Sequence, residues 1–306
     1  RAQVGCVMAY YSGSANSFAN LLSALQSALT ANGWSSGGSG WMHKGAVNVQ
    51  IIAGSVSLEL RGSGDPPPGT GNQVPRTVRL GHYTSANGLV FPVGYEIFIH
   101  TDPDEVYLVV NHSVDRYAWL AFGRSIVPVP GTGAWLGATT SNVSGTSIVL
   151  SAGSGGSLTG NATAAGLFCQ TLGYQNSYVH HGFGDQHANP WGADYTTSGH
   201  MQLNQAQAWI VMGGLCGLLP NNWNGESVLL PIQAYTSRPE NMVSLTVDIQ
   251  YARYARIDNY EPGDIVTLGD ERWKVFPWWR KNIAARDGGT GDHTGTFGWA
   301  IRYDGP

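Results

Sequence analysis

The sequence predicts an α+β protein that is mainly β, with antiparallel sheets, one N-terminal amphipathic helix and a β-rich C-terminal half. Three observations carry that expectation. One stretch near the N-terminus has helical period, most of the remaining chain alternates apolar with polar residues, and Gly/Pro/Asn/Asp turns break the alternation at short intervals.

The helix comes first. Phe18, Leu21, Leu22, Leu25 and Leu29 fall on one helical face, Asn16 or Ser17 stands ready to cap its start, and Asn32-Gly33 supplies a left-handed stop. Such a stripe suits a helix laid on a sheet. Beyond it the period becomes two: Val47, Val49 and Ile51 alternate, then Val56, Leu58 and Leu60. The run Asp65-Pro66-Pro67-Pro68-Gly69 cannot join a ladder and reads as a loop. Tyr95, Ile97 and Ile99 run into Thr101-Asp102-Pro103-Asp104-Glu105, and Val106 to Val110 leads back out, a hairpin with a proline-containing turn. Tyr117 to Val127 reads as a further buried strand.

Residues 131–165 are rich in Gly, Ser, Thr and Asn, which reads as loop and places a boundary near 160. The expected division is 1–160, holding the helix and an antiparallel sheet, and 161–306, a β-rich unit; one continuous domain is the alternative. In the second part, 209–219 and 227–235 are apolar segments, and Val243, Leu245, Val247 and Ile249 alternate cleanly. Pro262-Gly263-Asp264 is a turn, Ile265 to Leu268 a strand, Gly269-Asp270 a tight turn, and Trp273 to Phe276 the returning strand.

Composition limits the function classes. Glycine accounts for 42 of 306 residues and charged residues for 12%, about half the usual share. At 42% apolar and 11% aromatic the chain is too hydrophobic to be disordered. A net charge of −4 offers no basic surplus for phosphates, so no nucleic-acid partner is expected. The longest apolar run, 208–219, is broken by Gly213, Gly214 and Gly217, and no membrane span is expected. No secretory signal is read at the N-terminus. Cys6, Cys169 and Cys216 show no CxxC spacing, so neither a disulfide framework nor a cysteine zinc site is expected, although one bridge stays open.

Charge is also unevenly placed. Residues 125–237 contain no lysine or arginine, and their only acids are Asp185, Asp194 and Glu226. Either a Ser/Thr/Asn-solvated β surface or a surface covered by other subunits accounts for this.

The chemistry-bearing residue types form few patterns. His180, His181, Asp185 and His187 offer metal-ligand donors, but on a glycine-rich stretch without HExxH spacing, and no metal is expected there. No Gly-x-Ser-x-Gly elbow, phosphate loop or dinucleotide fingerprint occurs, so no cofactor is expected. Glu59, Glu96 and Glu105 are candidate carboxylates for glycoside cleavage, with solvated strand-face acids as the plainer reading. Trp273, Phe276, Trp278 and Trp279 lie close to arginines. They read as core beneath a hairpin, as a subunit interface or as a glycan-stacking surface. The interface candidates are Arg256, Trp273, Trp278, Trp279, Arg280, Trp299 and Arg302.

Several strings carry a resemblance. HTDPDEVYLVVNHSVDRY (100–117) with AWLAFG after it, NYEPGDIVTLGDERWKVFPWWRKN (259–282) and GTFGWAIRYDGP (295–306) resemble segments of virion structural proteins of tailed bacteriophages and prophages. So does the N-terminal helix after Tyr10-Tyr11-Ser12-Gly13, with Trp34 and its glycine-rich sequel. The likeness touches both ends and the first hairpin and is poor between about 130 and 230. It implies a non-enzymatic component of a long-tailed phage, in the tail tip or baseplate, and brings no catalytic residues. Its implied partners are other copies of the chain in a symmetric assembly, other tail or baseplate proteins, and a host cell-surface receptor or glycan. The implied location is the virion, assembled in the bacterial cytoplasm, where the lack of a disulfide framework is expected. Two alternatives stand beside it: a receptor- or glycan-binding tip module using loops of 131–224, and a tail-borne cell-wall or polysaccharide hydrolase.

Overall fold

The computed structural model describes residues 8–65, 73–74, 77–81, 89–114, 116–139, 166–168, 176–183, 190–193, 203–204, 228–238, 242–257, 259–278, 281 and 297–306. The protein is mainly β, with antiparallel sheets and, among the described residues, one α-helix.

The helix α1 (Phe18–Ala31) starts and stops where the sequence places it. Ser17 Oγ accepts a hydrogen bond from Asn20 N at 3.1 Å and serves as N-cap. At the other end Trp34 N donates to Leu29 O and Gly33 N to Thr30 O, at 3.1 and 3.2 Å, with Gly33 at φ 82°. That pair of bonds is a Schellman stop, and glycine takes the left-handed position without a Cβ penalty. Phe18, Leu21, Leu25, Ala28 and Leu29 are buried on one face.

A seven-stranded central sheet has the order β1 (Met8–Ala15), β7 (Val93–His100), β8 (Glu105–Ser113), β9 (Arg116–Arg124), β10 (Ala134–Ala138), β11 (Ser177–His180) and β12 (Trp191–Ala193). Between β1 and β7 the chain makes α1 and a five-stranded meander: β2 (Ser35–Gly38), β3 (Trp41–Lys44), β4 (Val47–Ala53), β5 (Ser57–Ser63) and β6 (Val78–Gly81). The third sheet has six strands, in the order β13 (Leu203–Asn204), β14 (Leu229–Arg238), β15 (Met242–Arg256), β18 (Phe297–Arg302), β17 (Glu271–Pro277) and β16 (Ile265–Leu268). The C-terminal strand β18 thus inserts between β15 and β17.

The three sheets form layers with the seven-stranded one in the middle. On one face of it, Phe122 meets Trp34 at 5.3 Å between ring centroids, and Leu136 and Trp191 pack against the backbone of Gly62 in β5. On the other face, Phe98 meets Phe276 at 5.9 Å, Tyr107 meets Trp299 at 5.6 Å, and Trp119 meets Trp278 and Trp299 at 5.4 and 5.5 Å. Both faces being covered explains why residues 105–110 of β8 are all buried, an apolar run rather than an alternation. Strands from both sides of residue 160 share this sheet, and one hydrophobic core runs from Ala15 to Tyr303.

Several elements differ from the sequence reading. The strand expected over 117–127 ends at Arg124, because Ser125 turns away to accept Val127 N on its side chain at 3.1 Å. Residues 134–138, read as loop, form the buried strand β10. The segment 209–219 and Cys6, Cys169 and Cys216 lie outside the described residues, as does most of the Asp65–Gly69 loop. No helix among the described residues is long and apolar enough to cross a membrane.

Candidate functional site

Strand register builds a groove on the open corner of the central sheet. In β1 and β7, Tyr10 stands opposite Phe98 and Ser12 opposite Glu96; in β7 and β8, Glu96 stands opposite Val109 and Gly94 opposite Asn111. Alternation puts these residues on the face that meets the six-stranded sheet. That sheet covers only part of the face, and Phe276 stands at its border. The uncovered part is a groove of about 350 Å³ whose lining includes Ser12, Gly94, Glu96, Asn111, Tyr117 and Phe276.

A polar cluster closes one end of the groove. Lys274 of β17 reaches Glu96 Oε2 at 2.5 Å and Tyr10 Oη at 3.2 Å, and Tyr10 donates to the same Oε2 at 2.7 Å. The Lys274 ammonium also stands over three rings, at 5.1 Å from Tyr10, 5.2 Å from Tyr303 and 5.8 Å from Phe276. Burial pulls the Lys274 pKa down, but its hydrogen bonds to Glu96 and Tyr10 and their charge outweigh that, so the net shift is upward. Burial and the Glu96 carboxylate both push the Tyr10 phenol up. The raised Lys274 pKa keeps its ammonium charged through neutral pH. Both contacts fall on Oε2, and Asn111 spends its amide nitrogen on Ser113 O and Arg116 O at 2.7 and 3.2 Å. Glu96 Oε1 and Asn111 Oδ1 remain as acceptors on the groove wall.

A second concavity, about 660 Å³, lies between the β7–β8 turn and the loop after β9, with Asp102, Pro103, Asp104, Arg124, Pro128 and Thr132 in its lining. Asp104 is paired there with Lys44 at 2.7 Å.

Glu105 sits in the seam between the central and six-stranded sheets, fully buried. It accepts from Gln250 N at 2.9 Å, Tyr251 N at 3.0 Å and the Tyr107 hydroxyl. Burial pushes its carboxyl up to about 7 against the three donors and the Arg253 charge. His100 packs flat on Tyr251, with centroids 4.4 Å apart, and burial together with the Arg302 charge lowers its pKa to about 3.

The three candidate glutamates do not converge. Glu96 lines the groove, Glu105 is sealed in the seam, and Glu59 pairs with Arg79 at 3.0 Å in the five-stranded sheet. Each has strand partners and cationic or backbone donors of its own, rather than a shared cleft.

The residues expected as interface anchors separate by burial. Trp278 and Trp299 stack on each other at 4.5 Å inside the main core, so neither is available on the surface of this chain. Trp273 is buried on the outer face of the six-stranded sheet. There the guanidinium groups of Arg253 and Arg302 lie over its ring at 5.0 and 5.9 Å, so both stacking partners come from its own chain. Arg256 is buried as well, whereas Arg302 is part-buried and bridges Glu271 at 2.7 Å and Asp304 at 3.2 Å. Core packing beneath the hairpin is thus the reading that holds for the three described tryptophans. Trp279 and Arg280 lie outside the described residues.

Of the imidazole stretch, Gly184, Asp185, Gln186 and His187 lie outside the described residues. His180 Nδ1 accepts Thr132 N at 3.0 Å, and His181 Nδ1 accepts Phe183 N at 2.9 Å. Each ring thereby spends one nitrogen on backbone. Among the described residues no group of three or more His, Cys, Asp or Glu is placed to hold a metal ion.

Sequence reasoning missed the Tyr10–Glu96–Lys274 cluster. The available signal was a lysine in an apolar strand of a chain with only three, Lys44, Lys274 and Lys281. No protein-family model and no curated protein matches the chain.

Proposed function

We propose that the chain is a structural component of a bacteriophage tail, at the tip or baseplate, and that it works by protein–protein assembly rather than catalysis. One observation carries the assembly reading. A bulge in the β14–β15 pairing between Ala234 and Tyr235 splits the apolar residues of β15. Val247 and Ile249 share the face of Ala234 and are fully buried, whereas Val243 and Leu245 share the opposite face with Ser237 and Tyr235, where Val243 is 64% exposed and Leu245 half-buried. Met242, next to Val243, is 43% exposed. The end of the β14–β15 hairpin therefore presents apolar side chains that its own chain leaves uncovered, which is the feature a neighbouring subunit buries. The resemblance of the strings at 100–117, 259–282 and 295–306 to segments of tailed-phage virion proteins suggests the class of assembly. The separate placement of Glu59, Glu96 and Glu105 gives paired-carboxylate hydrolysis no support.

The test has two arms. A tagged copy of the chain supplied during phage growth is expected to enter the particle and to be located on the tail by electron microscopy. Its exclusion from particles would sink the tail reading. In the second arm, Val243→Asp is expected to block incorporation or self-association while leaving the thermal midpoint of the isolated chain unchanged. Normal incorporation of that variant would remove the hairpin as the contact.

A further inference from the structure

We propose that the groove beside the Glu96–Lys274 pair is a binding site for a neutral saccharide ring. This inference stands on the groove alone and does not depend on the tail assignment.

Size and shape come first. The groove measures about 350 Å³, within the range of small-molecule clefts. Its floor is flat strand backbone at Gly94: a Cβ placed there would find its nearest neighbour, Asn111 O, at 4.0 Å. No side chain fills that space, and a ring can approach the sheet closely.

The chemistry of the wall selects the ligand. Glu96 Oε1 and Asn111 Oδ1 are acceptors, and the Ser12 hydroxyl, whose proton is engaged by Tyr10, adds a third. Closely spaced hydroxyls on a pyranose satisfy such a set, whereas an apolar ligand would leave it unpaired. Tyr117, half-buried at the groove edge, supplies aromatic surface for the C–H face of a sugar. Net charge argues against ionic ligands. Lys274 neutralises Glu96 at 2.5 Å, so neither a phosphate nor an ammonium finds an unopposed counter-charge.

The wall is also held in place before any ligand arrives. Glu96 is fixed by two bonds to one of its oxygens, and Asn111 by two bonds from its amide nitrogen. Presenting the remaining oxygens in set directions lowers the ordering cost of binding.

The experiment uses the full chain and ligand-observed saturation-transfer NMR with free glucose, galactose, mannose, rhamnose and N-acetylglucosamine, with inorganic phosphate and tetramethylammonium as ionic probes. At least one sugar is expected to receive transfer, with a Kd of ~1 mM or tighter. Gly94→Val fills the floor with a β-favouring side chain at a position without positive φ, and is expected to weaken binding at least about tenfold. Glu96→Gln changes the acceptor while keeping the shape, and is expected to weaken binding as well. It serves as the deciding variant if Gly94→Val unfolds. Val114→Ser, on the exposed β8–β9 turn, is expected to bind as wild type. Absence of transfer to every sugar overturns the proposal, as does undiminished binding in the folded variants. Saturable binding of phosphate or tetramethylammonium in place of sugar overturns it too.

Discussion

Lys274 and Glu96 meet at 2.5 Å although 178 positions separate them, and they join the six-stranded sheet to the central one. The pair is partly open, with side-chain exposures of 14% and 24%, so water screens it. The three rings around the ammonium add cation–π attraction that a surface pair lacks. Lys274→Met keeps the packing and removes the charge, and is expected to destabilise by about 1–2 kcal/mol. A double-mutant cycle with Glu96→Gln in urea denaturation measures the coupling. Strict additivity would show that the rings, and not the carboxylate, hold the lysine.

Glu105 and His100 give the seam a pH dependence with opposite signs. The Glu105 pKa is raised from 4.5 to about 7, so its contribution is complete below 4.5 and is lost as pH rises through 7. The His100 pKa is lowered from 6.5 to about 3, so its contribution is complete above 6.5 and is lost as pH falls through 3. Between 4.5 and 6.5 the two slopes oppose each other, and stability is expected to be flattest there. The loss from Glu105 across its window is on the order of 3 kcal/mol at most. Comparing the urea midpoints of wild type and Glu105→Gln from pH 4 to 8 isolates it. A difference that does not change with pH would show that the buried carboxyl does not titrate in this range.

The helix termini make a local prediction. Ser17→Ala removes the side-chain acceptor of Asn20 N and is expected to cost about 1 kcal/mol. Gly33→Ala meets no crowding, since its nearest atom is Lys44 Cε at 3.9 Å, and its cost of about 1 kcal/mol comes from the left-handed backbone at φ 82°. Thermal melts of both variants check this. A larger loss at Gly33 than at Ser17 would point to packing changes beyond the backbone term.

Gly62→Ala tests the contact between the five-stranded and central sheets. An added Cβ would collide with Leu136 Cδ2 and Trp191 Cη2, both in the buried core. Overpacking of this kind is expected to cost about 1–3 kcal/mol, read as a lower urea midpoint at unchanged m-value.

The elements legible in the sequence were those with a clear physical period. α1 was legible because its stripe repeats over four turns and both ends carry cap residues. β4, β5, β7, β15, β16 and β17 were legible because apolar residues alternate between clear turns, and β8 because its unbroken apolar run follows a proline-containing turn. β10 was not, since Ala134-Trp135-Leu136-Gly137-Ala138 is covered on both faces and contains small residues where neighbours crowd in. A Cβ on Gly137 would strike Leu167 and Ser177. The strand β1 was missed for the opposite reason: it is a sheet edge, mostly exposed and rich in serine and glycine. The groove lay out of reach because Tyr10, Glu96 and Lys274 come together only through pairing of distant strands. Composition revealed that tryptophans and arginines cluster, but not on which side of the surface they lie.

Trp299 and Arg302 separate the core role of that cluster from an interface role. Trp299 is fully buried and touches the rings of Tyr107, Trp119 and Trp278, so it ties β18 to β8 and β9 of the central sheet. Trp299→Ala opens a cavity that these rings cannot fill without breaking their own contacts. The expected loss is about 3–5 kcal/mol, with a fall in Tm on the order of 10 °C. Arg302, three positions on, lies part-buried over Trp273 and bridges Glu271 and Asp304. Arg302→Ala is expected to cost about 1 kcal/mol or less. An interface anchor would give the reverse pattern, with a wild-type Tm in the isolated chain and loss of association when mutated. Melting the two isolated variants side by side decides the matter. A Trp299→Ala chain as stable as wild type would return that tryptophan to the surface.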